Sequence, residues 1–435
     1  MIKADIKKEL LARREKLLAQ MKANSIALFF AAPEAVRSND TLYPYRQNSD
    51  FWYFTFFDEP ESMLAIIKQE DNQSRYILFN RKKDPLAETW TGYRLGQKAA
   101  LDAIVVDKAY LIDEINTVLP DLLNGKTTIY HAKQQYKYAD QILKKARTTL
   151  RQGTMTNLST PSKVIDWRPI VHKMRMFKSE FEIAIIRQAC KISAQAHVRA
   201  MQKCKPQMYE YQLEAEILHE FVKHGARWPS YNTIVGGGNN GCTLHYENNN
   251  QQLKDGELVL IDAGCEYQYY AGDITRTFPV NGKFSQAQRE IYDIVLASQY
   301  QAIALFKPGI SITEVNQYVV RIMVEGLVKL GIMQGDVNDL IAKEAYRAYY
   351  MHSLGHWLGI DVHDVGRNQH RPLEPGMVLT VEPGLYINQD ADVPERYKGI
   401  GIRIEDNILI TENGNEVLTS IVPKNADEIE NLMKH

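Results

Sequence analysis

The chain has 435 residues, enough for two domains, and its 52 basic and 53 acidic residues leave it almost neutral. That balance removes any global electrostatic case for nucleic acid or an anionic membrane as partner. No apolar run reaches 18 residues, and the mixed-charge start Met1-Ile-Lys-Ala-Asp-Ile-Lys-Lys-Glu9 has no apolar core of signal-peptide length, so a soluble cytoplasmic protein is expected.

From the N-terminus to about residue 172, a charged helix is followed by apolar segments, Ile26–Phe30, Met63–Ile67 and Tyr76–Phe79, separated by polar stretches. This alternation predicts a mixed α/β domain. The aromatic block Phe51-Trp-Tyr-Phe-Thr-Phe-Phe57 reads as a buried strand beside an interface. Between Pro161 and Pro169 the composition shifts to Pro, Ser and Thr, which predicts a linker and two domains, 1–172 and 173–435. Ser179-Glu-Phe-Glu182 has the form of a capping box, with Ile183, Ile186 and Cys190 following at helical spacing. Cys190, Cys204, Cys242 and Cys265 form no CxxC pair and read as reduced structural thiols.

Beyond that helix, helices interleave with antiparallel strands and Gly-rich turns, the α+β variant of an α/β composition. Gly236-Gly-Gly-Asn-Asn-Gly241 lacks the order of a phosphate loop or a dinucleotide fingerprint, and is read as a turn that delivers His245. Two stretches 120 residues apart match each other: Leu253-Lys-Asp-Gly-Glu-Leu-Val-Leu-Ile-Asp262-Ala-Gly264 and Leu373-Glu-Pro-Gly-Met-Val-Leu-Thr-Val-Glu382-Pro-Gly384. Each is an apolar strand ending in an acid. A second acid follows in each half, Asp273 eight residues before Asn281-Gly282 and Glu405 eight before Asn413-Gly414, and the offset grows to 132, which predicts a twelve-residue insertion in the second half. In Ile400-Gly-Ile-Arg-Ile-Glu405, strict alternation puts Arg403 on the same face as Glu405.

Four acids brought face to face repel one another strongly unless cations sit between them, so the repeat points to metal. A nitrogen ligand is expected within His352-Ser-Leu-Gly-His356-Trp-Leu-Gly-Ile-Asp-Val-His363-Asp-Val-Gly366, which is not an HExxH zinc helix. Four carboxylates and one imidazole suit two ions such as Mn²⁺, with Co²⁺ or Zn²⁺ possible, better than one tetrahedral Zn²⁺.

The order Asp262, Asp273, His356, Glu382, Glu405, with its flanking strings, resembles the five-ligand signature of the pita-bread metallopeptidases, which include methionine aminopeptidase, prolidase and aminopeptidase P. The segment from His356 to Gly366 is most similar to the aminopeptidase P branch, as is Gln47-Asn-Ser-Asp-Phe-Trp-Tyr-Phe-Thr55, where Phe56 replaces a usual glycine. The resemblance implies that Asp262 binds one metal, that Asp273 and Glu405 bridge two, and that His356 and Glu382 complete the second. It also implies Glu382 as general base and then acid, His245, His352 and His363 on the substrate side, and Tyr386 and Arg403 as supports for the ligands. Trp90 resembles a tryptophan that reaches a neighbouring subunit's active site, with core packing as the alternative, and a homo-oligomer is implied. The implied reaction is cleavage between an N-terminal residue and a following proline. Prolidase is the nearest alternative; a metal-free creatinase-type enzyme and a non-enzymatic binding module of the same fold are more distant ones.

Overall fold

The computed structural model describes residues 3–152, 158–366 and 368–434. The chain divides into two compact units between Met174 and Arg175.

The first unit is built on a six-stranded mixed sheet. Its strands run in the order Lys108–Leu111, Ser74–Asn80, Met63–Lys68, Ser25–Phe30, Thr128–His131 and Lys163–Ile165. The three expected apolar segments lie in its central strands, and their buried side chains form the unit's core with helices Ile115–Leu123 and Lys137–Gln152.

Two expectations are corrected here. The aromatic block is a helix, Ser49–Thr55, with all seven residues buried, not a strand. Asn48 caps its start by accepting from the Phe51 amide, and the carbonyls at its far end are bound by guanidinium groups, Arg13 on Tyr53 at 2.8 Å and Arg14 on Phe54 at 2.8 Å. These two buried cations from the N-terminal helix satisfy acceptors that a helix end leaves open and complement its dipole. Phe56 closes the helix at φ +48°, the left-handed region where glycine is favoured. Its ring packs against Trp52 with centroids 4.4 Å apart and lies under Arg13.

The Pro161–Pro169 stretch is also structured. Lys163–Ile165 is the edge strand of the sheet, paired in parallel with Thr128–His131, and helix Arg168–Met176 follows. Pro169 stands in that helix's first turn, where no backbone donor is needed. The buried Trp167 indole donates to the Leu28 carbonyl at 3.0 Å.

The second unit repeats itself. Helices Glu180–Lys203 and Glu210–Lys223 precede the first set of strands, and helices Gln286–Leu305 and Ile312–Lys329 precede the second. Capping boxes start three of them, at Ser179 with Glu182, Ser285 with Gln288, and Ser311 with Glu314. In the first half Leu258–Asp262 pairs antiparallel with Thr275–Pro279, placing Asp262 opposite Thr275. In the second Val378–Val381 pairs with Asp406–Thr411, placing Val381 opposite Asp406. Ten of the twelve extra residues expected in the second half fall in one loop: residues 388–399 separate Gly384–Ile387 from Ile400–Arg403, whereas Gln268 and Tyr269 separate the corresponding strands of the first half. Gly264 and Gly272 are required by close approach, since a Cβ on Gly264 would lie 1.7 Å from the Gly272 carbonyl oxygen.

The halves are clasped by a buried ion pair. Arg276 donates to Asp406 at 2.7 Å and to the carbonyls of Glu405, Val422 and Pro423, and Asp406 also accepts from Lys424, Gln299 and Thr419. Both side chains are fully buried. Burial disfavours the Asp406 charge, but Arg276 and Lys424 outweigh it and hold the carboxyl below its usual range. Asp406→Asn, which leaves a buried guanidinium and ammonium without a counter-charge, is expected to cost about 3–5 kcal/mol in urea unfolding. In the parent protein the Asp406 contribution is complete above about pH 4 and disappears as falling pH protonates the folded carboxyl, a dependence the variant should lack.

Candidate metal centre

Each half supplies two acids from strand ends. Asp262 closes its strand and Glu382 directly follows Val378–Val381, while Asp273 and Glu405 stand just ahead of Thr275–Pro279 and Asp406–Thr411. A cavity of about 340 Å³ is lined by all four acids together with His245, His352, His356, His363, Arg403 and Tyr231. The sequence candidates therefore converge on one pocket, except Tyr386. That tyrosine is fully buried and reaches the pocket only through its contacts with His352 and Arg403.

His356 is fixed by its own backbone, which exchanges hydrogen bonds with Thr380: its amide donates to Thr380 Oγ1 and its carbonyl accepts from the Thr380 amide, both at 2.9 Å. Its Nδ1 lies 3.0 Å from the Trp357 carbonyl, which can only accept, so Nδ1 carries a proton. That leaves Nε2 toward the acids, 3.3 Å from Asp273 and 3.5 Å from Glu382. An imidazole tied to a carbonyl on one nitrogen and open on the other is the usual state of a metal-binding histidine. Ligand atoms of Asp273, His356 and Glu405 all lie within 4.8 Å of one another.

Without a cation this cluster is frustrated. Burial raises the Glu405 carboxyl well above its usual range, with Asp273, Glu382 and Asp262 adding repulsion. Burial pushes Glu382 up to about 7, Asp273 contributing despite the nearby His356 and Arg403. Asp273 is raised by burial and by Asp262. Burial opposes a charge on His356, yet Asp273 and Glu382 push it up to about 9. The Tyr231 hydroxyl lies within hydrogen-bond reach of both Asp262 and Asp273, but has only one proton to give. Four oxygen donors and one nitrogen, short of protons and turned inward, fit hard divalent cations.

Arg403 supplies the fixed counter-charge. It reaches Asp262 at 2.6 Å, Tyr386 at 2.9 Å and Thr275 Oγ1 at 3.0 Å. Thr275 in turn donates to Glu405 at 2.7 Å, and Thr380 to Glu382 at 3.0 Å. Asn407 holds the Asp273 backbone from both sides, accepting from its amide and donating to its carbonyl.

The three remaining histidines differ. His352 is engaged at both nitrogens, Nδ1 with the Ser353 carbonyl and Nε2 with Tyr386, each at 2.7 Å. Burial and then Arg403 lower it to about 4, so it stands neutral. The rings of His245 and His363 have no hydrogen-bond partner among the described residues, although His363 packs edge-on against His356 at 4.4 Å. His245 and His363 are thus open to a ligand, whereas His352 has no free N–H.

Sequence reading missed Tyr231, Thr275, Thr380 and Asn407. The two threonines stand beside the acids, at Gly272-Asp-Ile-Thr-Arg276 and Thr380-Val-Glu382, but the repeat sets Thr380 against Leu260 and Thr275 against Asn407 and so carried no signal for them. Tyr231 belongs to neither repeat nor to the histidine segment. It is delivered by Ser230, whose hydroxyl bonds to the carbonyls of Gly264 and Gly272.

Residues 184–412 match Metallopeptidase family M24, and residues 11–130 match Aminopeptidase P, N-terminal domain. The chain is 61% identical to the Xaa-Pro aminopeptidase of Escherichia coli (strain K12), over 98% of both chains. It is 52% identical to that of Haemophilus influenzae over 98% of this chain and 97% of the relative. It is 35% identical to human Xaa-Pro aminopeptidase 3 over 97% and 84%. Among solved structures, zinc-substituted E. coli aminopeptidase P in complex with product superposes with a TM-score of 0.97 at 61% identity, covering 98% of each chain.

Tyr231→Phe removes a hydroxyl that orients two candidate ligands without touching the fold's core. Isothermal titration of the metal-stripped variant with Mn²⁺ is expected to show affinity reduced about 10- to 100-fold; unchanged affinity would show that Tyr231 plays no part in ligand placement.

Proposed function

The chain belongs to metallopeptidase family M24, and from that premise we propose that it acts as an Xaa-Pro aminopeptidase with two divalent ions, Mn²⁺ foremost, at the Asp262–Glu405 centre. The observation that carries this reading is the convergence of Asp262, Asp273, His356, Glu382 and Glu405 on one pocket, in a chain 61% identical to a bacterial Xaa-Pro aminopeptidase along its length. Asp262 would help hold one ion and His356 with Glu382 the other, and Asp273 and Glu405 would serve both. When bound, the ions would supply the Lewis acidity that lets water ionise near neutral pH and that polarises the scissile carbonyl.

The side chains around the ions have separate tasks. Thr380 holds one oxygen of Glu382, which leaves the other to take the proton of the attacking water and return it to the departing nitrogen. His245 and His363, with unengaged ring nitrogens, donate to substrate oxygen where negative charge develops. His352 acts by position: the chain Arg403, Tyr386, His352 fixes the pocket wall between the acids and solvent. A proline nitrogen in the substrate has no hydrogen, so the site recognises a bond that offers no amide donor.

Buried, unpaired Cys190, Cys204, Cys242 and Cys265 suit a reducing compartment, which supports a cytoplasmic location. No described helix is long and apolar enough to cross a membrane. Trp90 is 88% exposed on a helix with no buried residue, which rules out the core-packing reading; with Leu86 and Tyr93, also exposed, it supports contact with another subunit.

Mn²⁺-loaded protein incubated with Xaa-Pro-Yaa is expected to release free Xaa, followed by mass spectrometry. Cleavage confined to Xaa-Pro dipeptide would instead assign a prolidase, and no cleavage with metal bound would assign a binding role. His245→Ala is expected to retain its metal by elemental analysis while kcat falls about 10²-fold. Loss of metal in that variant would make His245 a ligand.

A further inference from the structure

The N-terminal unit carries a second cleft, of about 470 Å³, that the peptidase reading leaves without a task. It opens at the carboxyl ends of the parallel strands Thr128–His131 and Lys163–Ile165, the place where open α/β sheets bind ligands. Among the described residues, Lys133, Lys144, Arg147, Arg151 and Arg168 line it, against one acid, Asp140. Arg168 is committed to Asp166. Lys133, Lys144 and Arg147 have no carboxylate partner among the described residues, so the cleft is electropositive.

Two buried polar atoms of its lining are left unsatisfied among the described residues: Arg147 Nε, a donor, has no partner there, and neither has Nδ1 of His131, a residue only 2% exposed. His131 Nε2 lies 2.7 Å from Asp140, and because a carboxylate accepts, that nitrogen holds the proton. Burial lowers the His131 pKa in spite of Asp140, so the ring is neutral and Nδ1 presents a lone pair. A native interior rarely abandons both a donor and an acceptor beside uncompensated cations. The complementary ligand has acceptor oxygens, negative charge and one O–H.

We propose that this cleft is a binding site for inorganic phosphate, with Arg147 and the two lysines receiving its anionic oxygens and its remaining O–H donated to His131 Nδ1. Hydrogen phosphate keeps that proton at neutral pH. Sulfate, of similar shape and charge, has none, and a phosphomonoester has largely lost its acidic proton above about pH 6. Preference for phosphate over sulfate therefore separates a built site from a generic basic patch.

The test is isothermal titration of the full-length, metal-loaded protein at pH 7 with phosphate and with sulfate, repeated on Arg147→Gln. Phosphate is expected to bind, with sulfate at least about tenfold weaker for want of the hydrogen bond to a buried acceptor. Arg147→Gln should weaken phosphate about tenfold or more and leave Xaa-Pro cleavage within about twofold, since the residue is not among those that line the metal pocket. If Arg147→Gln fails to fold, Lys133→Gln on the exposed rim serves in its place. Equal binding of the two anions, no binding heat, or phosphate affinity unchanged in the variant would overturn the proposal; the last result would place the anion elsewhere, the metal pocket included.

Discussion

Repulsion among four carboxylates in one pocket is the constraint around which the second unit is organised. Charges of like sign out of water must be neutralised by protons, by counter-charges or by cations. The protein supplies only part of the neutralisation. Arg403 faces Asp262, Tyr231 offers one proton to two acids, and Thr275 and Thr380 each steady one carboxylate oxygen. The remaining deficit is what suits the pocket to a metal ion, and a scaffold that resists collapse is needed to keep it.

That scaffold is the internal repeat. Two halves, each with an antiparallel strand pair, deliver an acid at a strand end and another ahead of the adjacent strand, so pairing the halves doubles a modest site into a four-acid one. Arg276 ties them together from the first half, bonding to the Glu405 carbonyl and to the Asp406 carboxylate next to it. A candidate metal ligand is thereby flanked by a neutralised, fully bonded ion pair, which fixes its backbone while its carboxylate, held at one oxygen by Thr275, lines the pocket. Asn407 does the same for Asp273 across the halves. Precision at the site comes from backbone held by buried polar groups.

Where local sequence misled, a distant partner was responsible. The block Phe51–Phe57 has strand-like composition, yet Asn48 caps it and Arg13 and Arg14, some 40 residues earlier, bind its terminal carbonyls. The Pro161–Pro169 stretch has linker composition, yet Pro169 starts a helix and Lys163–Ile165 finds an edge to join. Tyr231 and His352 show the same rule within the site. One is brought to the candidate ligands through Ser230 and the glycine crossing, and the other loses its free N–H to Ser353 and Tyr386.

The sequence by itself determined the mixed α/β class, the repeat with its insertion, and the acids and histidines that line the pocket. These are written in local signals: strand-length apolar runs, capping boxes, turn glycines and carboxylates at matching offsets. Tertiary structure alone decided which groups are shared and which are free. A hydrogen bond between Arg403 and Asp262, or between Tyr231 and two acids from different strands, joins residues with no fixed spacing. The same holds for the neutral state of His352, which burial and Arg403 impose. Composition and periodicity record what a residue can do; burial and distance, set only once the chain has closed on itself, decide what it does.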